Sequence, residues 1–146
     1  MNQWWISLQV LAPAFWLGMV VAISFLEAPI KFRAPGVTIP IGLGIGRLVF
    51  RALNIAEVAV LVVLWVATIA AEATPTAAVR NLLAALTIVL AIQVAGIRPP
   101  LSRRSNRILA GEELPRSRAH HLYVAFEVVK VIVLVWLAAA TVAVHI

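Results

Sequence analysis

The sequence contains no cysteine and no aspartate, and charge of either sign is scarce. Without cysteine there is no disulfide, no thiolate metal site, no iron–sulfur cluster and no covalently attached c-type haem. Charged residues make up 12% of the chain, about half the share found in a soluble domain. A chain so poor in charge cannot cover a soluble globule with polar surface. It is rich in the complementary kind of residue: 63% of its 146 residues are hydrophobic, and its mean hydropathy is +1.02. The expectation is one integral membrane domain over 1–146, with the lipid bilayer as its immediate partner and no length left for a separate soluble module.

The few charges are also unbalanced. Twelve Lys and Arg stand against six Glu, a formal +6. In a soluble protein that surplus would suggest nucleic acid. Here it fits loops lying against anionic headgroups, no nucleic-acid motif competes, and no nucleic acid is expected as a partner. The start, "MNQWWISLQVLAPAFWLGMV", lacks the basic opening of a signal peptide. Its "APA" at Ala12 to Ala14 looks like a cleavage site, but the apolar run continues through it, so a retained first helix is expected.

Four apolar segments predict an all-α, four-helix transmembrane bundle, with helices at about 4–29, 46–71, 77–97 and 120–144. Each is near the ~20 residues that cross ~30 Å of hydrocarbon at 1.5 Å per residue. Strands are excluded, because four segments cannot close a barrel. Pro29 falls near the end of the first helix, and "RPP" at Arg98 to Pro100 is expected to stop the third. "EATPT" at Glu72 to Thr76 makes a hairpin before the third helix, with Thr74 or Thr76 as its cap. Pro13 is expected to kink the first helix. The stretch "SNRILAGEEL" is either a short interfacial helix or a solvated connection.

Orientation follows from the basic residues. Lys31, Arg33, Arg47 and Arg51 surround the first loop, and Arg98, Arg103, Arg104, Arg107, Arg116 and Arg118 the third; the opposite side has Arg80 alone. Ten against one predicts cytoplasmic long loops and both termini outside. Trp4, Trp5, Trp65 and Trp136 then fall toward the outer interface, where indoles prefer to sit. In the first loop, Gly42, Gly44 and Gly46 alternate with Leu43 and Ile45, without the strand, Rossmann pattern or Walker lysine of a phosphate loop. They predict either close backbone packing or a re-entrant turn.

Within the apolar segments lie Ser24, Glu27, Asn54, Glu57, Gln93, Tyr123, Glu127 and Lys130. At ~1.5 Å per residue, Glu27 and Gln93 are about one turn from the cytoplasmic end. Asn54 and Glu127 are roughly 8–10 Å deep, and Glu57 and Lys130 around 13 Å. The outer half carries no charge. A through-channel would need polar groups across the full thickness, so the pattern predicts a polar cup that opens inward and is closed outward by an apolar plug. Helical phase puts His120, Tyr123, Glu127 and Lys130 within an arc of roughly 80°, and Arg47, Arg51, Asn54 and Glu57 within about 120°. Turning both arcs inward brings Glu57 to Lys130. Two readings of these charges stay open: ion pairs Glu57–Lys130 and Glu127–Arg51 that only fix helix register, or a ligand or ion site built from Glu27, Asn54, Glu57, Gln93, Tyr123, Glu127, Lys130 and His120.

Other chemistries fare less well. No His follows any Glu by three, so the di-iron motif is missing. A hard divalent cation on Glu27, Glu57 and Glu127 would compete with Lys130 for the carboxylates. A b-type haem with two histidines finds histidines at the right level on the fourth helix only, which leaves His–Lys ligation open. No nucleophile motif supports a hydrolase triad.

"WLGMVVAISFLEAPIKF", "GRLVFRALNIAE", "IRPPL" and the His–Tyr start of the fourth helix resemble a known family. It is the small four-helix membrane family of unknown function that includes eukaryotic transmembrane protein 205. Trp16, Gly18, Pro29, Phe32, Gly46, Phe50, Arg98, Pro99 and His121 carry the resemblance, while the long "APGVTIPIGLGIG" loop departs from it. More distantly, the layout resembles four-helix families linked to copper resistance and haem biosynthesis. The resemblance implies a plasma-membrane bundle and supplies no reaction. The leading expectation is a protein that binds, or helps transport, a small molecule or ion. The second is an accessory subunit, in a homo-oligomer or larger membrane complex, with Ala67, Ala70, Ala71 and Ala138 to Ala140 available to pack on a neighbour. The third is a membrane oxidoreductase with b-haem or quinone.

Overall fold

The computed structural model describes residues 2–113 and 118–146 and, apart from 2 and 118–120, their side chains. Every regular element among them is helical, and four rods are long and apolar enough to cross a membrane. The first rod is α1 (Asn2–Val20), continued by a π-helical segment (Val21–Glu27), the short α2 (Ala28–Ile30) and a 3-10 turn (Lys31–Arg33). The second is α3 (Ile39–Ala70). The third is α4 (Ala77–Ile92), a second π-helical segment (Gln93–Ile97) and α5 (Arg98–Leu109); the fourth is α6 (Arg118–His145). The chain is a small multi-pass, all-α integral membrane protein.

The prolines do not stop the rods, contrary to the sequence expectation for "RPP". Proline lacks an N–H and crowds the carbonyl four residues back. Here Pro29 and Pro99–Pro100 each follow a wide turn, closed by Ala28 N–H donating to the Ile23 carbonyl and by Arg98 N–H donating to the Gln93 carbonyl. Reaching back five residues instead of four absorbs the misfit, and the helix runs on. Pro99 and Pro100 then occupy the first turn of α5, where a missing N–H costs nothing. α5 ends before Gly111, whose φ of +95° suits a helix terminus in left-handed conformation. The short helix of this connection is therefore 98–109, not the stretch starting at Ser105.

The second rod also starts earlier than expected, at Ile39 instead of about 46. Thr38 Oγ1 accepts from Ile41 N–H at 3.4 Å, and Pro40 sits in the first turn, so the start is capped and preset. The glycine-rich stretch is thus helical and forms no re-entrant turn, which satisfies its backbone groups internally. Its glycines serve close packing. A Cβ on Gly42 would overlap the Phe32 ring, and one on Gly46 would lie 2.8 Å from Lys31 Nζ. At the other end, Thr76 caps α4 through Val79 N–H at 3.3 Å.

α1 packs against α3 and α6, α6 against α4, and the third rod returns to α3 chiefly through α5. The order around the bundle is therefore that of the sequence. Toward the termini, Trp16, Val20, Leu64, Leu83, Leu86, Leu134 and Leu137 form an apolar core. Ala67 and Ala71, expected to face a second copy, are buried inside this chain, where Gln9 Nε2 donates to the Ala67 carbonyl at 3.1 Å. Trp4 and Trp136 are exposed, and Trp65 Nε1 donates to Thr87 Oγ1 at 3.0 Å.

Candidate functional site

On α6, Glu127 and Lys130 are three residues apart and share a face, so both turn into the bundle together. Lys130 Nζ lies 2.7 Å from Glu127 Oε1 and 2.6 Å from Oε2 of Glu57 on α3. The expected meeting of Glu57 and Lys130 is thus formed. All three side chains are 0–2% exposed. The other two rods complete the shell. Trp16 Nε1 donates to Glu57 Oε2 at 3.0 Å, Ser24 Oγ to Glu127 Oε2 at 2.6 Å, and Gln93 Nε2 to Glu127 Oε1 at 2.7 Å.

Each π-helical segment delivers one of these donors: Ser24 lies in the first and Gln93 opens the second. Single π turns inside α-helices recur at functional sites. The proline positions therefore shape the polar centre from several residues away.

The shell is not fully satisfied. Glu57 Oε1, Gln93 Oε1 and Asn54 Nδ2 are buried without a hydrogen-bond partner among the described residues. Two carboxylates face one ammonium, so full ionisation leaves one negative charge unmatched. An unpaired charge at this depth costs at least ~2.5–3.5 kcal/mol. Two acceptor oxygens at the cluster, one of Glu57 and one of Gln93, are thus left without a donor among the described residues. Among the described residues, no three His, Cys, Asp or Glu side chains are grouped to hold a metal.

Nearer the arginine-rich end, Tyr123 Oη donates to Asn54 Oδ1 at 3.5 Å, and Phe50 packs edge-on to the Tyr123 ring at 5.7 Å. Both Tyr123 and Asn54 are buried, so they stand as a second layer over the carboxylates. Beyond them a cavity of about 280 Å³ is lined by Arg47, Leu48, Arg51, Arg98 and Ser102. None of the carboxylate cluster lines it. The polar centre is accordingly a buried cluster and not the open cup expected from depth alone.

Two expectations need correction. Glu27 stays outside the cluster and pairs with Lys31 at 3.7 Å, its side chain 33% exposed. It ends the π-helical segment, and the wider turn moves it off the face that carries Ser24. Three converging carboxylates are therefore not available to a divalent cation. Glu127 pairs with Lys130 in place of Arg51, because Lys130 is on the same helix face, while Arg51 lies exposed at the cavity. The His120 side chain lies outside the described residues. Trp16 and Ser24 were not anticipated as members of the site. Trp16 had a signal, since Gln9, Pro13, Trp16 and Val20 recur every three to four residues and are all buried.

No protein-family model matches the chain, and no curated protein or solved structure is significantly similar to it.

Proposed function

We propose that the protein is a membrane-embedded ion-binding protein whose Glu57–Lys130–Glu127 cluster takes up one monovalent cation, a proton in the smallest case. The observation that carries this reading is the imbalance of two buried carboxylates around one ammonium, with Glu57 Oε1 and Gln93 Oε1 unpaired. Access is from the arginine-rich end, past Asn54 and Tyr123. The apolar core closes the other side, as a site that exchanges with one compartment requires. The positive-inside bias of the basic loops supports the cytoplasm as that compartment, with both termini outside. The family resemblance points to the plasma membrane.

The test is infrared spectroscopy of the protonated-carboxyl stretch across a pH titration of the protein in nanodiscs, with melting followed in sodium, potassium and choline salts. One carboxyl per chain is expected to gain a proton or to exchange it for a cation, and Glu57→Gln should abolish that signal while circular dichroism stays helical. A spectrum without any such carboxyl, together with melting indifferent to the cation, would reduce the cluster to a register lock.

A second reading, an accessory subunit with purely structural charges, is favoured by Glu127, both of whose oxygens are fully engaged by Lys130, Gln93 and Ser24. The triple variant Glu57→Gln, Glu127→Gln and Lys130→Met, which leaves no charge to be paired, separates the two. A triple variant that is stable and active in a cellular assay supports register alone; one that is stable and inactive supports the site.

A further inference from the structure

The cavity of about 280 Å³ between α3 and α5 has an unusual lining: three arginines, one serine and one leucine. Arg47 and Arg51 are one turn apart on α3, and Arg98 opens α5 opposite them. Like charges so placed repel one another, and an anion is what relieves such an arrangement. Ion pairs among the described residues include Lys31–Glu27, Arg107–Glu112 and Lys130 with Glu57 and Glu127. None of them serves Arg47, Arg51 or Arg98.

The guanidinium groups are nevertheless positioned. Arg47 Nη1 donates to Asn106 Oδ1, and Arg98 Nη2 donates to the Arg47 carbonyl at 3.4 Å. Each spends one N–H of the five a guanidinium offers and keeps the rest. The second cavity, about 380 Å³ at the opposite end of α3 and α4, is lined by Arg80 together with Glu72, so it holds both signs. Uncompensated positive charge is particular to the first.

Depth narrows the ligand. The second and third rods run 32 and 33 residues, well beyond the ~20 that span hydrocarbon. Counting about 20 residues from the Ala70 end of α3 reaches Arg51, and the same count from Ala77 reaches the residues just before Arg98. The three arginines thus lie at headgroup level. The volume is just below the ~300–1,000 Å³ of drug-sized pockets and suits a small anion or a headgroup. Guanidinium forks match phosphate oxygens in bidentate fashion, and Ser102 adds a hydroxyl donor.

We propose that Arg47, Arg51, Arg98 and Ser102 form a phosphate-binding site, occupied by the phosphate of an anionic phospholipid or by a free phosphate. The site is separate from the carboxylate cluster and does not depend on its function.

The experiment measures melting and Kd for the purified full chain in neutral detergent. The probes are short-chain phosphatidic acid, short-chain phosphatidylglycerol, the zwitterionic phosphatidylcholine, and inorganic phosphate. Arg51→Gln and Arg98→Gln are compared with Arg80→Gln, which removes the same charge at the other end. The wild type should be stabilised by the anionic lipids, by phosphate or by both, and hardly by phosphatidylcholine. Both site variants should bind at least tenfold more weakly while remaining helical by circular dichroism, and Arg80→Gln should bind as the wild type does. Stabilisation by the anionic lipids alone assigns the site to the membrane, and stabilisation by phosphate alone to a soluble anion. The proposal is overturned if neither probe binds the wild type, if the site variants bind equally well, or if Arg80→Gln loses as much. Among the described residues Arg51 makes no ion pair, so its substitution breaks none of these.

Discussion

Removing the Lys130 ammonium would leave the Glu57 and Glu127 carboxylates buried without a cation. Breaking a buried ion pair from one side typically costs ~3–5 kcal/mol, because an uncompensated charge stays behind. Lys130→Met is therefore expected to be the most damaging substitution in the bundle. Glu57→Gln, which keeps an oxygen for Trp16 and leaves one carboxylate to one ammonium, should cost about 1 kcal/mol or less. Glu57→Gln, Glu127→Gln and Lys130→Met combined should recover most of the loss, since no charge remains to be paired. Equilibrium unfolding in mixed detergent reads the order directly, and a triple variant as unstable as Lys130→Met would refute the electrostatic account. The convergence of Glu57, Glu127 and Lys130 was legible in the sequence because insertion cost and helical phase both demand it. Glu27 was misplaced because it was assigned by depth alone, and depth does not tell which face a residue takes at the end of a π-helical segment.

The same wide turns explain what was legible among the elements. Four apolar rods follow from hydropathy alone, and Thr76 announces the third by ordinary capping. Pro29, Pro99 and Pro100 were read as ends because proline usually ends a helix, and nothing in composition distinguishes a stop from a π turn. The glycines of α3 carry a sharper message. Gly42 and Gly46 are one turn apart and buried against Phe32 and Lys31, whereas Gly18 on α1 has nothing within 4 Å of where a Cβ would stand. Gly42→Ala should cost ~1–3 kcal/mol, since the Phe32 ring must leave its seat. Gly18→Ala should leave stability unchanged or raise it by up to ~1 kcal/mol through the better helix former. Melting temperatures of the two variants check the contrast. Equal losses at both positions would mean that glycine serves backbone flexibility and not close packing.

The molecule as a whole is polar in one direction. Exposed Trp4 and Trp136 ring the end that carries the termini, while Arg47, Arg51 and Arg98 crowd the other around a cavity. Between them the apolar core fills one half and the carboxylate cluster the other. Which compartment the arginine-rich end faces depends on which way the bundle is inserted. The positive-inside bias predicts the cytoplasm. Because the chain has no cysteine, a single introduced thiol reports its own side without background. Gln3→Cys and Ala110→Cys are both at exposed positions, near opposite ends. On intact cells a membrane-impermeant maleimide should label Gln3→Cys at once and Ala110→Cys only after permeabilisation. The reverse pattern would turn the arginine cavity outward, away from the cytoplasmic leaflet, and the proposed cation site would then lie nearer the outer leaflet's side of that cavity.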